Sequence, residues 1–308
     1  MTTLSSPIDL SRLPAPGVIE TVDFEQILTE RKAYLVSLWP ADEQAEIAAR
    51  MELESDPLNK IAQESAYREV ILRQRINDSC RAVLLAFAAG PDLDHLGALF
   101  EVPRLVVTPG NPSAIPPVAA VYESDDRFRQ RIQLALEGVS TAGPTGSYIF
   151  HTLSASPLVK DVAVPLPTPA PGLVRVIVLG TEGNGTPSGG LIATVVAALN
   201  DEDVRPLCDT VEVVAAQITN YAVSATLTFY SGPDMALVRD AAEAAVRRYV
   251  EEHHRLGHNI TRSGLFAALH QPGVQNVTLT APAADLVVAD THAAYCTSVT
   301  VIAGGNDV

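Results

Sequence analysis

Cysteine is scarce in this chain. Three residues in 308, Cys80, Cys208 and Cys296, lie far apart, are odd in number and form no CxxC pair. A disulfide framework and a structural zinc site are therefore not expected, and three buried thiols in a reducing compartment are the simpler reading. Basic residues are short as well: 21 Lys and Arg stand against 36 Asp and Glu, a formal net charge of −15. The deficit is spread out, with 17 acids to 10 bases up to residue 105 and 19 to 11 after it. Neither part carries the electrostatic footprint of a nucleic-acid or anionic-lipid binder. No apolar run reaches the ~18–20 residues that would cross a bilayer, so membrane insertion is not expected. Met1–Asp9 holds no basic region and no apolar stretch, so a secretory signal is not expected there either.

Catalytic signatures are missing too. There is no HExxH and no GxSxG. Residues 180–190, GTEGNGTPSGG, follow a Val/Ile strand and precede a helix, as a dinucleotide loop does. But Gly183, Gly185 and Gly189 read GxGxxxG, Pro187 interrupts them, and no Lys-Ser/Thr pair follows. A surface turn explains the run better than a phosphate cradle, which stays as the alternative: a nucleotide-binding enzyme using 180–190. His253, His254 and His258 cluster, and the i, i+4 pair could share a helix face, but Gly257 is expected to end that helix first. Asp201/Asp203 and Asp92/Asp94 read as loop and capping residues. Arg68, Arg73, Arg75 and Arg81 alternate with Glu64, Glu69 and Asp78, the pattern of a salt-bridged helix face. No catalytic, cofactor or metal residue is assigned, and no enzyme activity is expected.

What is present is 47% apolar residue content, enough for a real core, and a soft prior of roughly two domains at about 150 residues each. Residues 1–20 read as an extended arm, because Pro7, Pro14, Pro16 and Gly17 break helices. Residues 21–105 read as helical: one helix over about 23–38 capped by Asp23, a second over about 42–54, a long third over about 58–89, and a short one over 92–100. The end of the third, AVLLAFAA at 82–89, is apolar nearly all round. Such a segment packs either inside its own subdomain or against partner helices, and periodicity leaves both open. Residues 106–120, with Pro109, Pro112, Pro116, Pro117 and Gly110, read as a Pro-rich linker. Residues 121–308 change texture to α+β, with helices at about 124–137, 146–154, 188–199, 234–255 (opened by Pro233) and 262–270 among strands at 158–164, 173–180 and 274–282. An internal echo links 146–167 to 263–282: a short helix with an aromatic and a His, a Pro, then Val-x-x-Val opening a strand. The fold class is thus α+β: an N-terminal helical region, then helices on sheet, possibly internally duplicated.

Several segments together resemble a known family. They are IDLSRLPAPGVIE (8–20), DFEQILTERKAYLVSL (23–38), AYREVILRQRIN (66–77), AGPDLDHLGALFEVPRLVVTP (89–109), ESDDRFRQRIQLALEGVSTAG (123–143), DEDVRPLCDTVEV (201–213), HRLGHNITRSGLFAALHQPGVQ (254–275) and CTSVTVIAGGND (296–307). In this order they resemble the baseplate assembly protein J family of contractile-tailed phages, with relatives in R-type pyocins. The resemblance implies a structural wedge protein in the baseplate ring around the central hub, in a virion or tail-like particle assembled in the bacterial cytoplasm, with a share in triggering sheath contraction. It implies as partners other wedge proteins, copies of this chain and a sheath-initiator-like protein. The partner interface is expected on the apolar face of the first helix, Phe24, Ile27, Leu28, Leu35 and Leu38.

Overall fold

In the computed structural model the described residues are 8, 10, 13–140, 142–166, 170–232 and 234–307. Pro7 of the expected arm, residues 167–169 and Pro233 lie outside them. The chain divides between Pro103 and Arg104 into two compact units.

The first unit is helical. Helix α1 (Phe24–Ser37) starts where Asp23 accepts hydrogen bonds from the amides of Glu25 and Gln26. Helices α2 (Gln44–Met51) and α3 (Pro57–Ala82) follow, and Asp56 caps α3 ahead of Pro57. Ile27, Leu28, Ile47, Met51, Ala62 and Ala66 form their shared core. Small Ala62 and Ala66 let α1 approach α3 closely. Asn77, near the end of α3, clamps the arm by donating to the Glu20 carbonyl at 2.8 Å and accepting from its amide at 3.0 Å. The long helix ends at Ala82, seven residues before the expected stop, and residues 83–87 turn out of it. Pro91 sits in the first turn of α4 (Gly90–Ala98) and starts that helix rather than ending α3.

The second unit begins with an anchored hairpin. Strand β1 (Val106–Thr108) pairs antiparallel with β2 (Val121–Tyr122), and Asn111 bridges Val118 between them. The Pro-rich segment expected as a linker is therefore the turn of a hairpin belonging to the second unit. Its base is fixed by buried charge. Glu123 receives Arg127 and Arg131 from α5 (Asp125–Gly138) and the Leu105 amide at 2.9 Å. Arg127 continues inward to the carbonyls of Leu153 (2.7 Å) and Ser156 (2.8 Å). Arg104 bonds Asp125 at 2.7 Å and lies over the Phe128 ring.

Two three-stranded layers follow. In the first, α6 (Thr145–Ala155) leads into β3 (Val159–Ala163), then β4 (Leu173–Gly180), α7 (Gly189–Leu199) and β5 (Thr210–Ala215). Central β4 is antiparallel to β3 and parallel to β5. In the second, β6 (Gln217–Tyr230) is central, antiparallel to β7 (Val274–Ala281) and parallel to β8 (His292–Asp307), with α8 (Met235–Glu252) and α9 (Arg262–Leu269) packed on one face. Period-2 burial follows: Val223, Ala225, Leu227 and Phe229 of β6 face Ala242, Val246, Leu265 and Leu269 of the helices. β4 is buried on both sides. Val176 and Val178 face the helices of its own layer, while Ile177 and Leu179 face a cluster with Ala216, Leu256 and Ala293. That explains why LVRVIVLG shows no polar alternation. The last strand, β8, is a 16-residue element that the sequence pattern does not reveal.

The internal echo is real in detail. In both copies a helix leads into the edge strand antiparallel to the central one, and the strand bulges after its first valine, at Val159/Asp161 and at Val274/Asn276. A bulge lets residues three apart share a face, which is why Val159 and Val162, and Val274 and Val277, are all buried. In each the bulge side chain bonds the next amide at 2.9 Å: Asp161 to Val162, Asn276 to Val277. Chain order differs, since the central strand follows the unit in the first layer and precedes it in the second.

Glu123→Ala leaves Arg131, 2% exposed, as a buried cation without its carboxylate. Chemical denaturation of the full chain is expected to show about 3–5 kcal/mol lost from the transition of the second unit.

Candidate functional site

The residues expected to form an interface on α1 divide in the structure. Ile27 (6% exposed) and Leu28 (7%) lie in the core of the first unit, and Phe24 and Leu35 pack against it. Leu38 is 62% exposed, and Tyr34, four residues before it, and Trp39, next to it, are exposed too. α1 thus uses most of its apolar face at home. The open apolar surface is on α3: Ile61, Leu72 and Ile76 are 61%, 60% and 50% exposed. Steps of eleven and four residues put them on one helix face. Beside that face runs a groove of about 620 Å³ lined by Val18, Glu20, Arg31, Glu69, Leu72 and Ile76 among others. Three of the four arginines of α3 are ion-paired: Arg68 with Glu64, Arg73 with Glu69 at 2.7 Å and Arg81 with Asp78 at 3.3 Å. Arg31 from α1 also meets Glu69, whose carboxyl these two guanidiniums hold below the usual range. The signal for the α3 surface was in the sequence, as apolar residues left over once a three-helix core is filled.

The glycine run is a closed turn. The Gly180 amide donates to the Gly185 carbonyl (2.7 Å), Thr181 to Leu158 (2.9 Å), Gly185 to Glu182 (3.0 Å) and Thr186 to the Asn184 side chain (3.1 Å). Ser188 caps α7 by accepting from Leu191. The amides of Gly180, Gly185 and Thr186 are thus engaged within the run, and that of Thr181 with Leu158 outside it. Gly185 is needed for another reason. Its φ is +92°, and a Cβ there would sit 2.6 Å from the Leu179 side chain and 2.8 Å from His254 Nε2. Two motifs about 70 residues apart in sequence therefore meet.

His254 is 6% exposed and donates from Nδ1 to the Ala294 carbonyl at 2.7 Å. Burial holds its imidazole below the usual range, opposed by that hydrogen bond. His253 stacks on Tyr249 at 4.0 Å and stands edge-on to His258 at 6.1 Å, past the end of α8. Among the described residues, no group of three or more His, Cys, Asp or Glu side chains is placed to hold a metal ion. Asp201 accepts from the Asp203 amide at 3.0 Å, the turn expected of it, and Asp92 lies in the first turn of α4. The three cysteines are free but not buried as expected: Cys208 is exposed and Cys80 and Cys296 are half-buried, and partial burial pushes the Cys296 thiol up. Among the described residues, no helix is long and apolar enough to cross a membrane.

The chain is thus a helical unit joined to two related helix-on-sheet layers, and the helical unit presents an apolar helix face beside a groove. Family models place it. The Baseplate J-like N-terminal domain matches residues 54–111, the Baseplate J-like central domain 140–215 and the Baseplate J-like protein C-terminal domain 221–302. Baseplate protein J of Escherichia phage P2 is 50% identical over 300 residues, covering 97% of this chain and 99% of that protein. The chain belongs to the baseplate J-like family. A cryo-EM structure of the anti-feeding prophage baseplate, 6-fold symmetrised, is similar at 17% identity with a TM-score of 0.42, over 58% of this chain and 43% of that one.

Gly183 and Gly185 separate loop strain from packing. Gly183 has φ +58° and open space around it, so Gly183→Ala is expected to cost about 1–2 kcal/mol. Gly185→Ala adds the clash with Leu179 and His254, a further ~1–3 kcal/mol in thermal or chemical unfolding.

Proposed function

We propose that this chain is a structural wedge protein of a contractile baseplate, in an infectious phage or a tail-like bacteriocin such as an R-type pyocin. The reading rests above all on near-full-length identity to a phage baseplate protein J. Its partners are other wedge proteins, further copies of itself and a sheath-initiator-like protein, and it assembles in the bacterial cytoplasm. The family and the ion pairs of Arg68, Arg73 and Arg81 on α3 fit a protein whose work is contact rather than chemistry.

Within this reading the helical unit carries an assembly surface, moved from the α1 face to α3. Burying an exposed Leu or Ile contributes about 1.5–3 kcal/mol, and Ile61, Leu72 and Ile76 offer that in one row, with Leu38, at the C-cap of α1, also exposed. A role in sheath triggering needs two bodies in the chain, and the division at Pro103/Arg104 supplies them. Glu101, at φ +57°, is a non-glycine residue in a left-handed conformation two residues before that division.

Complementation in the source phage or pyocin, with electron microscopy of the particles, tests the function. Wild-type chain is expected in purified baseplates, and a tail lacking it would contradict the reading. Leu72→Asp/Ile76→Asp is expected to abolish baseplate formation while the purified variant unfolds like wild type. Leu28→Asp, in the core, is expected to unfold the helical unit, at more than the ~2–5 kcal/mol of a Leu→Ala change.

A further inference from the structure

The joint between the two sheet layers carries one buried titratable ring. Pairing passes from one layer to the other at consecutive residues: the Ala216 amide donates to Val178 of the first layer at 2.9 Å, and the Gln217 amide to Thr291 of the second at 3.1 Å. Ala163, Ile177, Leu179, Ala216, Leu256 and Ala293 fill the joint with small and aliphatic groups. Asp161 of β3 reaches across to accept the Leu256 amide at 2.9 Å, and Lys160 pairs with Glu251. His254 closes the arrangement. Its Nδ1 is committed to Ala294 of β8, its ring meets Tyr295 edge-on at 5.4 Å, and its Nε2 lies against the Gly185 turn that follows β4. Among the described residues, the Ala294 carbonyl is its hydrogen-bond partner.

We propose that His254 is an acid-released latch between the two sheet layers: neutral, it holds the 180–189 turn and β4 against the β8 end of the second layer; protonated, it lets them part while each layer keeps its own core. A neutral ring tolerates an Nε2 packed on backbone and aliphatic carbon. A proton there places a cation on a buried residue, 6% exposed, with no protein acceptor among the described residues bonded to that nitrogen. The charged groups around it are Lys160 and Asp161 from β3 and Glu251 from α8, with His253, Arg255 and His258 in the segment after α8. Lys160 opposes the proton, and Asp161 and Glu251 favour it. Asp161 already bonds the amides of Val162 and Leu256, and Glu251 is already paired with Lys160. The sign follows from a folded-state value held low. Latch stability is complete above the unfolded histidine value of about 6.5 and is lost as pH falls below it.

Amide hydrogen exchange on the full chain, corrected for intrinsic rates, tests the latch between about pH 7.5 and about pH 5.5. Exchange at 176–180, 214–218 and 254–257 is expected to rise about tenfold as the ring gains its proton, while 223–229 stays protected. His254→Phe keeps a ring in the site and is expected to remove the response; Asp161→Asn, which cannot titrate, is expected to keep it. Exchange of the imidazole C2 hydrogen in the wild-type chain reports His254 directly, with an expected midpoint below the ordinary histidine value of about 6.5. The proposal is overturned if the seam amides do not respond to pH, if His254→Phe responds like wild type, or if His254 titrates with an ordinary midpoint.

Discussion

The second unit depends on one backbone constraint: a single strand run, 210–230, serves two sheets with one residue, Ala216, between its two roles. Buried amides need partners, and here each side of the junction finds its partner in a different layer. A loop at this point would have allowed the layers to drift. With one residue there is no slack, and everything around the junction is shaped to let the backbones come close. Ala163, Ala216 and Ala293 are small because the strands nearly touch, and Gly185 has no side chain because Leu179 and His254 occupy the space. The apolar run of β4, puzzling as half of an exposed sheet, is required once both its faces are covered.

The same economy appears in the repeated edge strand. Val-x-Asp-Val and Val-x-Asn-Val look like helical spacing, yet both are strands in which a bulge restores one face. An Asp or Asn at the bulge bonds the following amide, which the disrupted ladder no longer serves. In the first layer the Asp has a second task, since its other oxygen takes the Leu256 amide across the joint. The residue that makes the bulge also ties the layers together. The second layer has Asn at the matching place.

Local rules made much of this legible. Asp23 and Ser124 cap α1 and α5 where a capping residue precedes a periodic run, and the broken spacing of the glycine run matches a hydrogen-bonded turn. Elements whose identity depends on distant partners were not legible. β8 is rich in Ala, Ser, Thr and Gly and becomes a strand because β6 offers it a parallel neighbour along its length. The Pro-rich stretch becomes a hairpin because Glu123 and Arg104 anchor its base, although Glu123, Arg127 and Arg131 at i, i+4, i+8 were a readable clue. The α1 residues chosen as an interface were correctly apolar. Sequence alone could not divide them, with Ile27 and Leu28 in the core of their own unit and Leu38 left exposed, because that depended on where α2 and α3 would sit.

The central claim is that, at neutral pH, the two sheet layers are one cooperative body distinct from the helical unit. Native-state hydrogen exchange across a denaturant series measures this directly. The account predicts two opening units: amides of 24–82 sharing one free energy, and those of β4, β6 and β8 sharing a second, without a separate opening of 159–215. Separate free energies for the β4 and β6 amides, with different denaturant slopes, would contradict it and would mean that Ala216 is a hinge rather than a weld.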